Sequence, residues 1–321
     1  MVSCSRDLSI IIFANTNLEI VEPLLQYGVN IVGVIETEDK LTINNPIKRS
    51  IIKVNRWLKG MPSYISLREF SNEHDIPYLE YRKHDKNQVV DWIKALKADL
   101  LISHQAPILP EVVFQSPKFG SINIHPTLLP KYRGSNPFFW MYYDEDMLAG
   151  ITLHWIDAGI DTGKIIEQRS VQIQHGTDAD RLERRMVTEL AIPAVLKFIN
   201  QFEEKIALQE QPVKSPTAYA GRVTDEEYRT MLMDKNISIE RFWHVLHANQ
   251  QWHTALLPEK PDPAFHWCLA NYKEKNQSDL HGQVDYETKL IKIHHATGTV
   301  IVEREFNLNR FIVHRLLSFL K

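Results

Sequence analysis

The fold is decided by the opening of the chain, residues 8–36, which read LSIIIFANTNLEIVEPLLQYGVNIVGVIE. A run rich in β-branched residues at 8–14 is followed by an amphipathic segment at 18–26, by Gly28, and by a second apolar run at 30–36. The two apolar runs predict strands, and the amphipathic segment predicts a helix that ends at the glycine. Strand, helix and strand in this order indicate a parallel pair with a right-handed crossover.

The same rhythm continues to about residue 205. Apolar runs predict strands at 76–81, 99–103, 121–125, 150–157 and 164–173, and helices are expected at 87–98, from 137 onward and at 178–204. The run at 99–103 is apolar on both faces, which is typical of a sheet covered by helices. We therefore expect an α/β domain over residues 1–205 with a Rossmann-like, mostly parallel sheet.

The pattern changes after residue 205. Residues 206–222 contain Pro212 and Pro216 and lose the apolar periodicity, as a linker does. Residues 223–321 predict a helix at 239–248, alternating runs at 265–272, 280–284, 289–294 and 299–305, and a terminal helix. Short strands separated by turns indicate a smaller C-terminal β-rich domain, similar to an OB-like barrel.

Charge and cysteine content limit the partners of the protein. The 321 residues include 37 Lys and Arg against 40 Asp and Glu, so no overall basic field favours nucleic acid or a membrane surface. Cys4 and Cys268 are too isolated for a disulfide framework or a thiolate zinc site, which fits a reducing cytoplasm. The apolar stretch at 10–14 is far shorter than the ~20 residues that span a bilayer. We expect a cytoplasmic protein with small-molecule partners and leave a homodimer open.

Two polar side chains stand in an apolar strand at 121–125, SINIH. Because side chains alternate along a strand, Asn123 and His125 share one face, at the strand end where open α/β sheets bind ligands. An imidazole moves protons near neutral pH, and a carboxamide can donate a hydrogen bond to a developing oxyanion. Asp161, between two glycines, is the best candidate for a supporting carboxylate, with Asp157 as the fallback. The pattern alone favours the alternative of an Asn and a His that cap and hydrogen-bond a loop.

Two stretches, NIHPTLLPKYRG at 123–134 and GITLHWIDAGIDTGKII at 150–166, resemble the signature of the tetrahydrofolate-dependent formyltransferases. The family pattern is Asn-x-His-x-Ser-Leu-Leu-Pro followed by a downstream Asp, and Thr127 stands here in place of the usual Ser. The resemblance implies that Asn123, His125 and Asp161 are catalytic. It also implies 10-formyltetrahydrofolate as formyl donor and a primary amine as acceptor, with no metal.

In this family the pterin ring lies between two loops, and the resemblance implies which residues form them here. The expected donor-binding residues are Gln105, Pro107, Ile108, Leu109, Asp157, Ala158, Gly159 and Ile160. An ordinary proline-stiffened connection is the alternative reading of the first loop.

The stretch HPTLLPKYRGSNPFFW at 125–140 is similar to sugar-nucleotide N-formyltransferases of surface-polysaccharide (O-antigen) synthesis. That similarity implies a nucleotide-linked amino-deoxy sugar as acceptor, with Asn15, Lys131, Arg133 and Trp140 as acceptor-binding residues. Lys131 or Arg133 would meet a diphosphate, and Trp140 would offer an aromatic surface. The alternatives are an arginine that fixes the loop and a tryptophan that packs in the core.

Other functions stay open from the sequence. A methionyl-tRNA formyltransferase would have the same two-domain layout, and the basic stretch 48–59 would then contact tRNA rather than form a solvated helix face. Another amino metabolite, such as an ornithine-derived siderophore precursor, or a binding module without turnover are further readings. His154 and the pair His294 and His295 are expected to be sheet residues rather than metal ligands, because no compatible ligand spacing accompanies them.

Overall fold

The computed structural model of the chain describes residues 8–15, 18–37, 50, 53, 66–82, 85–202, 207–257, 265–274, 278–287 and 289–306. The N-terminal part contains β1 (Ile10–Ala14), α1 (Leu18–Gln26), β2 (Ile31–Thr37), α2 (Leu67–Glu73), β3 (Tyr78–Tyr81), α3 (Lys86–Ala95), β4 (Leu100–His104), α4 (Glu111–Phe114), β5 (Ser121–His125), α5 (Pro137–Tyr143), β6 (Leu148–Trp155) and β7 (Ile165–Gln172). The seven strands form one sheet in the order β3-β2-β1-β4-β5-β6-β7.

The centre of this sheet is apolar on both faces. Every residue of β1 and β4 is buried, because helices cover the sheet on both sides. The strands β3, β2, β1, β4 and β5 run parallel, as the alternation of strands and helices predicts. The predicted mostly parallel α/β domain is therefore confirmed.

The last two strands of the sheet reverse direction. β6 pairs with β5 in antiparallel register, so that Trp155 lies opposite Ile122 and Thr152 lies opposite His125. β7 pairs with β6 antiparallel through a hairpin loop at 156–164. The backbone amide of Trp155 donates to the carbonyl of Lys164 at 3.0 Å and closes this hairpin loop.

Of the long helix expected at 178–204, the structure shows 179–200, with one irregular turn. Asp178 begins it by accepting a hydrogen bond from the amide of Arg181 at 2.8 Å. A π-helical turn at Val187–Ala191 separates α6 (Ala179–Met186) from α7 (Ile192–Asn200). The added residue in a π turn changes which side chains face the sheet, and no sequence pattern indicated it.

The C-terminal part has its own core. It contains α8 (Asp225–Leu232), α9 (Ile239–Leu246), α10 (Trp252–Leu256), β8 (Phe265–Glu274), β9 (Val284–Tyr286), β10 (Leu290–His295) and β11 (Gly298–Phe306). Its four strands form an antiparallel sheet in the order β8-β11-β10-β9, which confirms a second, β-rich unit.

The two parts are in close contact. Phe139 of α5 is fully buried within the apolar cluster of the C-terminal part. Arg241 donates from Nε to the carbonyl of Tyr143 at 2.8 Å. A Cβ at Gly176, where φ is +74°, would lie 2.0 Å from the Trp243 ring, so this position requires glycine. The contact thus includes a buried aromatic ring, an arginine that donates to a backbone carbonyl, and a glycine that lies against a tryptophan ring.

Some expectations fall outside the described residues. Of the basic stretch 48–59 only residues 50 and 53 are described, and the terminal helix expected near the C-terminus lies beyond residue 306. The boundaries at 205 and 222 remain predictions. Within the described part of the chain, no helix is long and apolar enough to cross a membrane.

Candidate active site

Three polar side chains converge on one face of the sheet. Asn123 and His125 point the same way from β5, and His154 of β6 lies directly opposite Asn123 in the register. The carboxamide Nδ2 of Asn123 lies 3.2 Å from Nε2 of His154. Asp161 completes the group, with its two carboxylate oxygens 3.7 Å from Nδ1 of His125 and 3.7 Å from Nε2 of His154.

The hydrogen bonds of His125 define which nitrogen is free for chemistry. Nε2 lies 3.1 Å from the carbonyl of Tyr132, and since a carbonyl only accepts, Nε2 carries the hydrogen. Nδ1 therefore faces Asp161. Burial lowers the pKa of His125, while the Asp161 carboxylate and the bond to Tyr132 oppose that shift. The ring is neutral at rest, with a lone pair on Nδ1 beside a carboxylate that stabilises its protonated form.

His154 fixes the orientation of Asn123. Its Nδ1 lies 2.9 Å from the carbonyl of Trp155 and must donate to it, so Nε2 accepts from the Asn123 amide. Burial, reinforced by the neighbouring His125, lowers the pKa of His154 to about 4 and keeps it neutral. His154 is a sheet residue, as expected, yet its side chain belongs to the site. Sequence analysis missed this because the pairing of His154 with Asn123 depends on a strand register that the sequence does not display.

The position of Asp161 depends on the path of the hairpin loop at 156–164. Because β6 is antiparallel to β5, the hairpin loop leaves the sheet beside Ile122, roughly 10 Å along the strand from His125. The loop folds back across this face to place the carboxylate against the imidazole. The amide of Gly134 donates to Asp161 Oδ2 at 2.9 Å and holds the carboxylate there.

The fallback carboxylate, Asp157, has a different task. Its Oδ1 accepts from the amide of Gly159 at 3.1 Å and from the hydroxyl of Thr162 at 2.6 Å. A Cβ at Gly159 would lie 2.0 Å from that hydroxyl, so the turn needs a glycine. Asp157 therefore organises the hairpin loop, while Asp161 faces the histidines.

The expected donor-binding residues lie on two separate loops near this site. Residues 105–110 follow β4, where Ile108 is 73 % exposed and Leu109 is buried. Gln105 has a left-handed backbone (φ 55°) and donates from Nε2 to Glu183. In the hairpin loop, Ile160 is 40 % exposed and residues 157–159 are also exposed. Pro107 is exposed in the first loop as well.

A cavity of about 560 Å³ adjoins the hairpin loop. Asp157 and Ala158 line one side, and Glu111 and Phe114 of α4 line the other. Its volume falls in the range of small-molecule sites, roughly 300 to 1,000 Å³. α4 begins directly after residues 105–110, so the first loop ends at the wall of this cavity.

The four expected acceptor-binding residues differ in their surroundings. Arg133 is only 6 % exposed, and its guanidinium donates to protein groups, as described below. Trp140 donates from its indole nitrogen to the carbonyl of Gly221 at 2.8 Å and packs against both apolar cores. Lys131 is exposed and pairs with Asp146 at 2.8 Å. Asn15 is exposed and accepts from Thr37 at 2.7 Å. Only Lys131 and Asn15 thus present polar side chains to solvent.

The family assignment rests on the sequence. The model of the formyl transferase family matches residues 20–195, more than half of the 321 residues. The chain belongs to the formyl transferase family. Thr127, where the family usually has Ser, is buried in this formyl transferase, and its carbonyl accepts from Thr152 at 2.7 Å.

Curated relatives of this formyl transferase include methionyl-tRNA formyltransferases. That of Thermotoga maritima is 28% identical over 211 residues, which are 65% of this chain and 62% of the relative. That of Bacteroides thetaiotaomicron is 29% identical over 232 residues, or 71% of this chain and 67% of the relative. The chain thus spans about three fifths to two thirds of the length of these relatives.

Solved structures with a similar fold include two N-formyltransferases. WlaRD, a sugar 3N-formyl transferase solved with dTDP and 5-N-formyl-THF, superposes with a TM-score of 0.60 at 16% identity, over 94% of this chain and 99% of that one. The N-formyltransferase of Helicobacter canadensis, solved with folinic acid and dTDP-3-aminofucose, gives 0.59 at 17% identity, over 93% and 100%. At these identities the likeness shows that the fold is shared, including the C-terminal part.

Buried neutral histidines make the stability of this formyl transferase sensitive to acid. Burial lowers the pKa of His104 and of His154 from 6.5 to about 4 in each case. The unfolded chain therefore binds protons that the folded chain does not, and stability is lost as pH falls from 6.5 toward 4. Each ring is expected to lower the free energy of unfolding by at most about 1.4 kcal/mol per pH unit.

Urea denaturation at about pH 7, 6 and 5 measures this loss. His104→Gln removes one of the two rings and should give a shallower pH dependence than the wild type, while other titrating groups cancel in the comparison. Equal slopes for the two proteins would contradict the assignment.

Proposed function

We propose that the protein is an N-formyltransferase that moves the formyl group of 10-formyltetrahydrofolate to the primary amine of a nucleotide-linked amino-deoxy sugar. The convergence of Asn123, His125 and Asp161 on one face, with His154 behind them, carries this proposal. The group combines an amide donor, a neutral base and a carboxylate, which is what transfer of an acyl group to an amine requires.

The hydrogen bonds assign a role to each side chain. Asn123 uses one amide hydrogen on His154 and keeps the second for the formyl oxygen as that oxygen gains negative charge. Nδ1 of His125 accepts the proton that the attacking amine releases. Asp161 stabilises the resulting imidazolium, which can then return the proton toward the departing nitrogen. None of these steps needs a covalent enzyme intermediate.

The donor is proposed to bind between the two loops. Exposed apolar side chains, Ile108 and Ile160, stand on loops that flank the catalytic group. The cavity walled by Phe114 reaches Asp157 and Ala158 but is not lined by the catalytic group. Flat heteroaromatic rings bind in clefts of this kind, where backbone groups supply the polar contacts. When bound, 10-formyltetrahydrofolate supplies the activated formyl group. We propose residues 105, 107–109 and 157–160 as its contacts.

For the acceptor, the support for a nucleotide-linked sugar comes from the shared two-part fold. The two solved N-formyltransferases, whose structures hold dTDP and dTDP-3-aminofucose, superpose over more than nine tenths of this chain. We propose Lys131 and Asn15 as contacts of the acceptor, since both are exposed near the catalytic strands. Methionyl-tRNA remains the second candidate acceptor because the curated relatives carry that activity in their names.

The deciding experiment is a transfer assay with 10-formyltetrahydrofolate and a panel of acceptors. The panel contains dTDP- and UDP-linked sugars with the amine at carbon 3 or carbon 4, and methionyl-tRNA. Turnover of a nucleotide sugar with no turnover of methionyl-tRNA supports the proposal. Efficient formylation of methionyl-tRNA alone would make methionyl-tRNA the acceptor, while the proposed formyl-transfer mechanism would still stand.

Salt dependence separates the two acceptors in a second way. A tRNA held through many phosphates should lose about 10³-fold or more in affinity between about 50 and 200 mM salt, because binding releases counterions. The KM of a nucleotide sugar, which has two phosphates, should change by no more than about threefold over this range. Steady-state kinetics at both salt concentrations, with sodium chloride and with sodium acetate as a control for specific anions, measures the difference.

A further inference from the structure

The backbone of Asp161 needs external support. Its φ of +54° lies in the left-handed region, which costs a residue with a Cβ about 1 kcal/mol or more. The bonds made by Asp157 hold Gly159 and Thr162, which lie on either side of Asp161. The carbonyl of Asp161 itself is held from elsewhere in the chain.

That support is Gln211, in the segment that joins the two parts of the molecule. Its Nε2 donates to the carbonyl of Asp161 at 3.1 Å and to the carbonyl of Gly163 at 2.6 Å. Its Oε1 accepts from Arg133, at 3.3 Å from Nε and 2.8 Å from Nη2. The orientation of the amide is unambiguous because a flipped amide would set oxygen against two carbonyls and NH₂ against a guanidinium.

Arg133 anchors the other end of this connection. It is 6 % exposed, and its Nη2 also donates to the carbonyl of Pro212 at 2.9 Å. Its Nη1 donates to the carbonyl of Val213 at 3.3 Å. A buried guanidinium is costly unless its hydrogens are used, and here the described partners are a carboxamide and two backbone carbonyls. The arginine thus binds the linker to the turn at 133–134.

The turn at 133–134 holds both the side chain and the backbone carbonyl of Asp161. Gly134, the next residue, donates its amide to the carboxylate of Asp161, while Arg133 acts on the Asp161 carbonyl through Gln211. We propose that Arg133 and Gln211 are positioning residues that hold the Asp161 carboxylate between His125 and His154. The linker is thereby part of the catalytic apparatus. This inference rests on the proposed function.

Two variants of Gln211 test the proposal. Gln211→Ala removes the whole connection, and Gln211→Glu keeps an acceptor for Arg133 but sets an oxygen against the carbonyls of Asp161 and Gly163. We expect each to lower kcat by about 10-fold or more, because small displacements of a catalytic group are costly, with the KM for the formyl donor within about twofold of wild type. Gln209→Ala is the matched control: its exposed side chain makes no described hydrogen bond, and kcat should not change.

A second readout does not depend on turnover. Asp161 and His154 are the ionisable side chains that face His125 among the described residues, and Asp161 opposes the fall in the pKa of His125 that burial causes. If the carboxylate is released, an NMR titration of His125 should move to lower pH in Gln211→Ala, which adds no charge of its own, and stay in place in Gln209→Ala. The His125 signal is assigned by its absence in His125→Ala.

The proposal requires both changes. A folded Gln211→Glu protein with wild-type kcat, or a folded Gln211→Ala protein with an unshifted His125 titration, would overturn it. The retained bond to Arg133 keeps Gln211→Glu informative where Gln211→Ala unfolds. If the wild-type protein transfers formyl groups to no acceptor of the panel, the proposed function fails instead, and the titration alone still decides whether Gln211 positions Asp161.

Discussion

His125→Ala is expected to lower kcat by about 10² to 10⁴-fold, because it removes the nitrogen that we propose accepts the amine proton. The ring is buried, its Nε2 is committed to the Tyr132 carbonyl, and its Nδ1 faces the Asp161 carboxylate. Affinity for the folate donor, measured by calorimetry, should change little because the expected donor contacts lie on other loops. Stopped assays with the best acceptor of the panel give kcat.

A matched control for this variant is His74→Ala. His74 is exposed at the end of α2, a helix that packs on β2 and β3 at the far side of the sheet. Its replacement should leave kcat unchanged. A folded His125→Ala protein that turns over within a few-fold of wild type would remove the imidazole from the mechanism.

Asp161→Asn is the second substitution with a large expected effect. Two opposite charges 3.7 Å apart attract by roughly 4 kcal/mol at an effective dielectric constant of 20. Asn keeps an oxygen for the Gly134 amide but cannot stabilise the imidazolium, so kcat should fall by about 10² to 10³-fold. The pKa of His125 should fall as well, since the carboxylate no longer opposes the effect of burial.

Kinetics as a function of pH measures both effects. The limb of the profile that reports His125 should move to lower pH in Asp161→Asn. Asp75→Asn is the matched control, because Asp75 has the same left-handed backbone (φ 53°) but is exposed in the turn after α2. A profile of Asp161→Asn that coincides with that of Asp75→Asn would show that the carboxylate has no part in the reaction.

Local sequence patterns predicted the sheet and the placement of Asn123 and His125 on one of its faces. Apolar runs and amphipathic segments are short-range features, so β1, α1 and β2 were predictable from residues 8–36 alone. The common face of Asn123 and His125 follows from the period of a strand. For Asp161, the glycines beside it and the family resemblance pointed to the residue, but not to the antiparallel hairpin that delivers it.

The remaining parts of the site depend on contacts between distant segments. His154 meets Asn123, 31 residues earlier in the sequence, because their strands pair. Arg133 is buried by its contacts with linker residues 78 to 80 positions further along the chain. Neither contact leaves a local signal, which is why Arg133 was expected to meet a diphosphate in solvent. A sequence-level hint existed for Arg133 in the alternative of an arginine that fixes its loop, and the structure supports that alternative.

The aromatic ring of Phe139 has a consequence for how the molecule unfolds. The residue belongs to the helix that follows the strand of Asn123 and His125, yet its neighbours include Tyr228 at a centroid distance of 5.3 Å, in the apolar cluster of the C-terminal part. Exposing such a ring to water costs about 1.5 to 3 kcal/mol. Unfolding of either part therefore destabilises the other. A truncated protein that keeps only the Rossmann-like part would expose this ring and unfold less cooperatively.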